Sequence, residues 1–496
     1  MARRTGIRPT EISLKDVFPH ARFLQSGEAT ANSCARTARD MQRGGAYFAF
    51  DDDGTDPTGD AAIALHRGAT AIVTERLLPL SNAPQCIVSD VRSAYARLCY
   101  ALTRERSSEL RKIAVAGTHG KTIAAWLIAA VLGQAKTGGF LCSLGRSDGS
   151  DFSPEGMPAD FPRAAAEHFA ACAKACAKTV VVEIPPAAIA HRDLDGCEFE
   201  TVVIVNVSRD GVGPGVEPAN YRAGIQRLRE HLKAGGSLVL NIDDPFCREF
   251  SRESGMPVLT VGFNEAADVT AKLLERSASE QTFLLTAGPE SVAVRTQFVG
   301  DPFMQHALAA AAVGLLQGLS LTDIARGLES VDKLPGRMER LECGQPFAVF
   351  VDAASRPDAL SAALETVREI ATGRVLCVCE ASPNVERGHR ERLGGVLEAQ
   401  TDMTVIAAEK GCEEIVQEIL TGCESQKQIV VTDDRAAAVR ETLSQARAGD
   451  VVLLVGGRNA AFPGFTPELD DRETAEQFLR EAYKPEKRAG ATKKRG

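Results

Sequence analysis

One stretch of the chain combines residue types whose spacing fits phosphate chemistry: Ile113-Ala-Val-Ala-Gly-Thr-His-Gly-Lys-Thr-Ile-Ala-Ala-Trp126. A β-branched apolar run ends at Ala116, glycines at 117 and 120 bound a turn, and a helical pattern opens at Lys121 and Thr122. Backbone N–H groups in such a turn converge on an anion, and the positive end of the following helix faces it. Lys121 would reach the terminal phosphates of ATP, and the Thr122 hydroxyl would bind Mg²⁺. Gly117, Thr118, His119, Gly120, Lys121 and Thr122 are therefore the candidate nucleotide-binding residues, with Lys121 also the candidate catalytic cation. Lys121 lies four positions after Gly117, where the common P-loop has six, so this is a shortened relative of that motif. An ordinary strand-to-helix turn with a solvated lysine is the plainer alternative; the strand before and the helix after favour the phosphate reading. Glu183 closes the run Thr179-Val-Val-Val-Glu, and Asn206 and Asp210 follow the run Thr201-Val-Val-Ile-Val. Ligands bind at such C-terminal strand ends in open parallel sheets. A carboxylate there can hold Mg²⁺ against ATP phosphates. Glu183 joins Thr122 as a candidate Mg²⁺ ligand and is a candidate catalytic residue; helix-capping acids are the alternative.

The elements that must position these residues are legible as an alternation. Short β-branched runs, such as Ala69-Thr-Ala-Ile-Val-Thr and Asp450-Val-Val-Leu-Leu-Val, alternate with Ala/Leu-rich stretches of helical spacing. That pattern predicts an α/β fold with parallel sheets covered by helices. Polar residues from Thr103 to Glu109 and the turn Leu334-Pro-Gly-Arg suggest breaks. The resulting segments are 1–107, 108–333 and 334–484, with residues 485–496 as a basic, disordered tail.

Composition narrows the class. The 496 residues are enough for about three domains. With 44% hydrophobic and 25% charged residues, the chain is neither disordered nor collagen-like. A net charge of −9 argues against a general nucleic-acid partner. No apolar run reaches membrane-spanning length, and no apolar stretch follows the basic residues at the N-terminus. The 13 scattered cysteines include no paired CxxC motifs, which disfavours a zinc site and fits reduced thiols in a cytoplasmic protein.

Taken together, these residues resemble the Mur ligase family, ATP-dependent ligases that extend the peptide on UDP-N-acetylmuramic acid, and most closely the branch that adds its third residue. The family P-loop Gly-Thr-x-Gly-Lys-Thr stands at Gly117 to Thr122. The N-terminal UDP-binding pattern is echoed by Thr37-Ala-Arg39, Arg43-Gly44 and Tyr47-Phe-Ala49, then by Gly59-Asp60 and Ala64 to Ala69. Asn241-Ile-Asp-Asp-Pro245, Leu334-Pro-Gly-Arg-Met-Glu339, Asp352 through Leu360, Asp434-Arg435 and Gly449 to Gly457 look like later family phrases. The resemblance implies three α/β domains: a UDP-binding one, a central P-loop ATPase and a Rossmann-like C-terminal one. It implies ATP and Mg²⁺ as cofactors and a UDP-MurNAc-peptide-like molecule as partner. It also implies a mechanism in which ATP phosphorylates a substrate carboxylate and an amine attacks the acyl phosphate. Asn206 joins the nucleotide-binding candidates from its place after a strand, and the resemblance places His306, Arg337 and Asp352 at the nucleotide and Arg39 at the UDP-sugar. A folylpolyglutamate-synthetase-like ligase shares the P-loop, but the segment ahead of it disfavours that reading.

The resemblance also has departures, and they fall on chemistry. The family's Asp-His-Leu-Asp-x-His, ending in Tyr-x-x-Ala-Lys, aligns on Asp210 to Ile225. Gly211 replaces a histidine that helps hold the family's second metal, Gly213 and Gly215 replace the second Asp and the second His, and Ile225 replaces the lysine that the family carbamylates. Tyr221 keeps the register. Glu-x-Ser-Ser, Thr-Thr-Pro and Asp-Tyr-Ala-His become Glu183-Ile-Pro-Pro186, Gly156-Met-Pro158 and Asp352-Ala-Ala-Ser355. Asp-Asn-Pro-Arg, which selects the incoming diamino acid, has no counterpart near Ala407-Ala-Glu-Lys-Gly, and Gly-Lys-Gly-His-Glu becomes Gly456-Gly-Arg-Asn-Ala460. The expectation is a Mur-type ligase with a degenerate, catalytically impaired site. The alternative is a nucleotide-binding pseudoenzyme with a regulatory or scaffolding role and a protein partner.

Overall fold

The computed structural model describes residues 11–25, 29–51, 56–133, 138–208, 216–264, 266–383, 385–408, 410–426, 428–456 and 471–483. The expected basic tail, and Asp210, Gly211, Gly213, Gly215 and the Gly457 to Ala460 motif, lie outside the described residues. The chain gathers into two compact units, residues 1–268 with 309–319 and residues 269–308 with 320–496. No helix among the described residues is long and apolar enough to cross a membrane.

The first unit holds two sheets. In the smaller, strands run in the order Arg22–Leu24, Gln85–Ile87, Ala71–Thr74, Ala46–Phe48, Cys34–Ala35, all parallel except the first. The helix Val91–Ser107 connects it to the next sheet. Asp90 caps that helix by accepting from the Ser93 N–H at 2.8 Å. Val91, Ala94, Tyr95, Leu98 and Cys99 follow the 3–4 spacing of one helical face, and all are buried. Residues Thr103 to Ser107 form the end of this helix, and the next strand starts at Arg111.

That strand, Arg111–Ala116, is central to the larger sheet. From one side the order is Gly138–Cys142, Thr179–Glu183, Arg111–Ala116, Phe199–Ile204, Leu232–Asn241 and Val258–Gly262, all parallel. Helices cover both faces of such a sheet, so its strands read as unbroken apolar runs. All five residues of Thr179–Glu183 are buried. One hydrophobic core joins both sheets: Phe48 and Ala71 share it with Phe169, Val182 and Ile204.

In the second unit, Val269–Arg276, Gln281–Ala287 and Glu290–Thr296 form an antiparallel meander. A six-stranded sheet follows in the order Glu339–Arg340, Ala348–Asp352, Val451–Val455, Val375–Ala381, Met403–Ala408, Ile429–Thr432. Only its first strand is antiparallel. Alternate residues of Val375–Ala381 feed different cores: Cys377 and Cys379 enter one, Leu376 and Val378 the other. All 13 cysteines are free thiols.

Asp193, in the first unit, ionises against its surroundings. Burial pushes its carboxyl up to about 7, while Arg36 and Arg92 pull it down and Asp160 and Asp195 push it further up. Its unfolded value is about 3.9. Because the folded value is the higher one, the stability tied to its protonated form is present below about pH 4 and is lost as the pH rises through about 7. We expect Asp193→Asn to raise Tm at pH 8 and to leave it unchanged near pH 4. A thermal-melt series across that range checks this; a Tm difference that does not depend on pH would refute it.

Candidate active site

The nucleotide-like turn begins where Arg111–Ala116 ends. Gly117 has φ +148°, and a Cβ there would lie 2.5 Å from Val205 Cγ2, so only glycine lets the turn approach the neighbouring strand end. Gly120 also has positive φ, +73°, and the helix Lys121–Gly133 starts directly after it. Its first residues, Lys121 and Thr122, are buried. The Lys121 Nζ donates to Thr118 O at 3.2 Å, which draws the cation over the turn.

The flanking strands deliver the other expected residues. Glu183 ends the strand on one side and Asn206 follows the strand on the other, so the turn lies where the chain order reverses across the sheet. Glu183 is buried; its Oε1 accepts from Thr122 Oγ1 at 3.0 Å and its Oε2 from the Ser143 N–H at 2.8 Å. Asn206 is clasped to the turn: its Oδ1 accepts from the N–H groups of Thr118 and His119, both at 3.0 Å, and its Nδ2 donates to His119 O at 3.0 Å. The structure thus brings together Gly117, Thr118, His119, Gly120, Lys121, Thr122, Glu183 and Asn206.

Three supports escaped the sequence reading. Asn241 Nδ2 donates to Val205 O at 3.1 Å, and Asp244 Oδ2 accepts from the Val207 N–H at 3.1 Å. The Ser208 N–H donates to Thr118 Oγ1 at 2.9 Å. The signal for Asp244 was its place before Pro245, the pattern of a helix N-cap, and its Oδ1 does cap the helix Pro245–Glu253 at Cys247. Nothing local indicated that its other oxygen would hold the segment carrying Asn206.

The site suits Mg²⁺ and a phosphate chain. Thr122 and Glu183 offer two adjacent hard oxygen donors, and Mg²⁺ commonly takes one or two protein oxygens and completes its shell with phosphate and water. No group of three His, Cys, Asp or Glu able to hold a metal occurs among the described residues.

The remaining expected residues lie elsewhere. Arg39 is exposed, and its carbonyl accepts from Arg67 Nη1 at 2.7 Å. Arg337 and Asp352 both lie in the second unit, where the Arg337 charge acts on the Asp352 carboxyl. Asp352 accepts from the N–H groups of Met338 at 2.7 Å and Ala354 at 2.8 Å, and burial pushes its carboxyl up while Arg337 pulls it down. His306 is buried in the helix Asp301–Leu316. In the first unit, Ile225 is fully buried in the apolar core, one turn after the buried Tyr221.

Known proteins give this geometry a family. A model of the Mur ligase middle domain matches residues 115–314, and a model of the Mur ligase glutamate ligase domain matches residues 336–458. The chain belongs to the Mur ligase family. Among curated Mur ligases, it is 28% identical to the UDP-N-acetylmuramoyl-L-alanyl-D-glutamate–2,6-diaminopimelate ligase of Syntrophomonas wolfei, covering 85% of this chain and 88% of that one. It is 27% identical to the enzyme of the same name from Halalkalibacterium halodurans, covering 95% and 99%. A solved structure of a ligase of that name aligns with TM-score 0.68 at 22% identity, over 95% of this chain and 99% of that one. The MurF ligase of Thermotoga maritima in complex with ADP aligns with TM-score 0.63 at 18% identity, over 91% and 98%. The fold is the α/β architecture of three-domain Mur ligases, as the motifs led us to expect.

Two substitutions test the turn. We expect Lys121→Ala to weaken ATP binding at least about tenfold, because it removes a charge-assisted contact to phosphate. Gly117→Ala would meet both the positive φ and Val205, and we expect it to lower both Tm and ATP affinity. Isothermal titration and thermal melts check both; ATP affinity unchanged in Lys121→Ala would refute the phosphate role.

Proposed function

We propose that this Mur ligase binds ATP with Mg²⁺ and acts on a UDP-MurNAc-peptide in peptidoglycan precursor synthesis, adding an amino acid with a turnover far below that of an ordinary ligase. The observation that carries the reading is the buried constellation of Lys121, Thr122 and Glu183 on a turn fixed by Asn206. The relatives' names support the substrate class, since they specify UDP-N-acetylmuramoyl-L-alanyl-D-glutamate.

Bound ATP with its metal would supply the phosphoryl group that activates a substrate carboxylate for displacement by an amine. In our reading, Lys121 places positive charge where negative charge builds on the phosphoryl oxygens. Thr122 and Glu183 would hold the cation that shields the phosphates, and the N–H groups of the turn other than the two that Asn206 takes would orient them. The family resemblance would give His306, Arg337 and Asp352 a nucleotide role and Arg39 a place at the uridine end of a sugar nucleotide.

The slow turnover is read from Ile225. Where the family resemblance calls for a carbamylated lysine, this chain has a hydrocarbon side chain packed in an apolar core with no donor for a second cation. Loss of such an electrostatic contact costs about 10²–10³ in rate. The same observation favours a second reading, a nucleotide-binding pseudoenzyme whose role is regulatory or scaffolding and whose target is a protein partner.

ADP release under saturating ATP, Mg²⁺ and UDP-MurNAc-dipeptide, with a panel of amino acids, separates these. We expect slow release, unaffected by bicarbonate because residue 225 offers no amine. Turnover within about 1–10³ per second would contradict the impairment, and ATP binding without any product would favour the pseudoenzyme.

A further inference from the structure

The Asn206 side chain bonds both the imidazole and the backbone of His119. The orientation of the Asn206 amide is set by backbone groups alone. Its Oδ1 must face the N–H donors of Thr118 and His119, and its Nδ2 must face the carbonyl of His119. With that orientation fixed, Nδ2 also lies 3.1 Å from the Nδ1 of the His119 ring. An amide nitrogen only donates, so Nδ1 must accept, and the ring proton of neutral His119 belongs on Nε2.

We propose that Asn206 is a positioning residue that locks the phosphate-binding turn through backbone and imidazole together, and that this lock opens when His119 takes up a proton. The proposal rests on the nucleotide-binding reading of the turn. Protonation would put N–H on Nδ1, facing the N–H of Nδ2, and the pair would lose its bond and repel. The Thr118 and His119 amides hang from the same Asn206 side chain, so a displaced amide loosens the turn that must meet the phosphates. Among the described residues, the charged groups on the surrounding elements are Lys121 in the turn, Glu183 on one flanking strand and Asp244 behind the other. Lys121 is engaged by Thr118 O, Glu183 by Thr122 and Ser143, and Asp244 by Val207 and Cys247. A bound anion would attract the imidazolium of the partly exposed His119; in this proposal, loss of the bond to Asn206, with the loosening of the turn, outweighs that attraction. Imidazole titrates in the range from about pH 5 to 8, and acidification across it should weaken ATP binding.

The test is ATP affinity, by titration calorimetry with Mg²⁺ and no muramyl substrate, at about pH 8 and about pH 5.5. Each value for the parent is divided by that for His119→Ala at the same pH, which cancels protonation of ATP itself. We expect the parent's advantage over His119→Ala to fall about fivefold on acidification, the worth of one hydrogen bond. Asn206→Asp keeps an acceptor for the two N–H groups but turns an oxygen toward Nδ1. Its overall affinity should be lower, and relative to His119→Ala it should improve on acidification, because an imidazolium Nδ1–H can donate to a carboxylate. Should Asn206→Asp fail to fold, the ratio of parent to His119→Ala and the ¹⁵N NMR spectrum of the labelled imidazole still decide. That spectrum should show an unprotonated Nδ1 at about pH 8. A flat ratio, a slope of the same sign in Asn206→Asp, or a protonated Nδ1 at the higher pH overturns the proposal while leaving the nucleotide site standing. No ATP binding by the parent at either pH overturns the nucleotide reading and this proposal with it.

Discussion

Backbone amides recognise phosphate only if they are held in place before the phosphate arrives, and here that constraint falls on one side chain. Asn206 takes two N–H groups and one carbonyl of the turn 117–120. Its own segment is pinned in turn by Asn241 and Asp244 on the next loop along the sheet. Three successive strand ends are thereby connected by side-chain-to-backbone bonds, so the geometry of the turn belongs to the sheet edge rather than to the loop alone. Gly117 completes the arrangement by permitting contact closer than any side chain would allow.

The same edge concentrates polar groups in a buried place. Thr118, Lys121, Thr122, Glu183 and Asn206 are all buried, and each is engaged within the site. Buried polar groups destabilise unless they are paired. Here the pairs that satisfy them also aim them, which is what electrostatic preorganisation requires. Ile225 shows the opposite choice. Its segment packs as hydrocarbon, tightly enough that a Cβ on the preceding Gly224 would lie 2.5 Å from Ile189 Cγ2. A lysine at 225 would have to bury its amine in that core.

Much of this was readable from the sequence because it is local. The P-loop residues are contiguous, and the β-branched runs ending in Glu183 and before Asn206 announce strands whose C-terminal ends meet. The family resemblance extended that reading to the whole fold. Non-local bonds were not legible. Nothing in the residues around Asp244 tells that one oxygen caps a helix while the other holds Val207. Asn206 read as a nucleotide contact because it follows a strand, whereas its amide is occupied by the turn. The polar residues from Thr103 to Glu109 suggested a break, and nothing in them tells that those up to Ser107 end a helix whose other face is buried.

The central claim is that Thr122 and Glu183, held beside a preorganised turn, form the cation site for the phosphates. The most direct measurement is the Mg²⁺ dependence of ATP binding in the parent and in Glu183→Gln. The amide keeps the shape of the side chain and removes the charge that faces Thr122. We predict that Mg²⁺ strengthens ATP binding to the parent at least about tenfold, as a charge-assisted contact should, and that this gain disappears in Glu183→Gln while metal-free binding changes little. An equal gain from Mg²⁺ in both proteins would contradict the account.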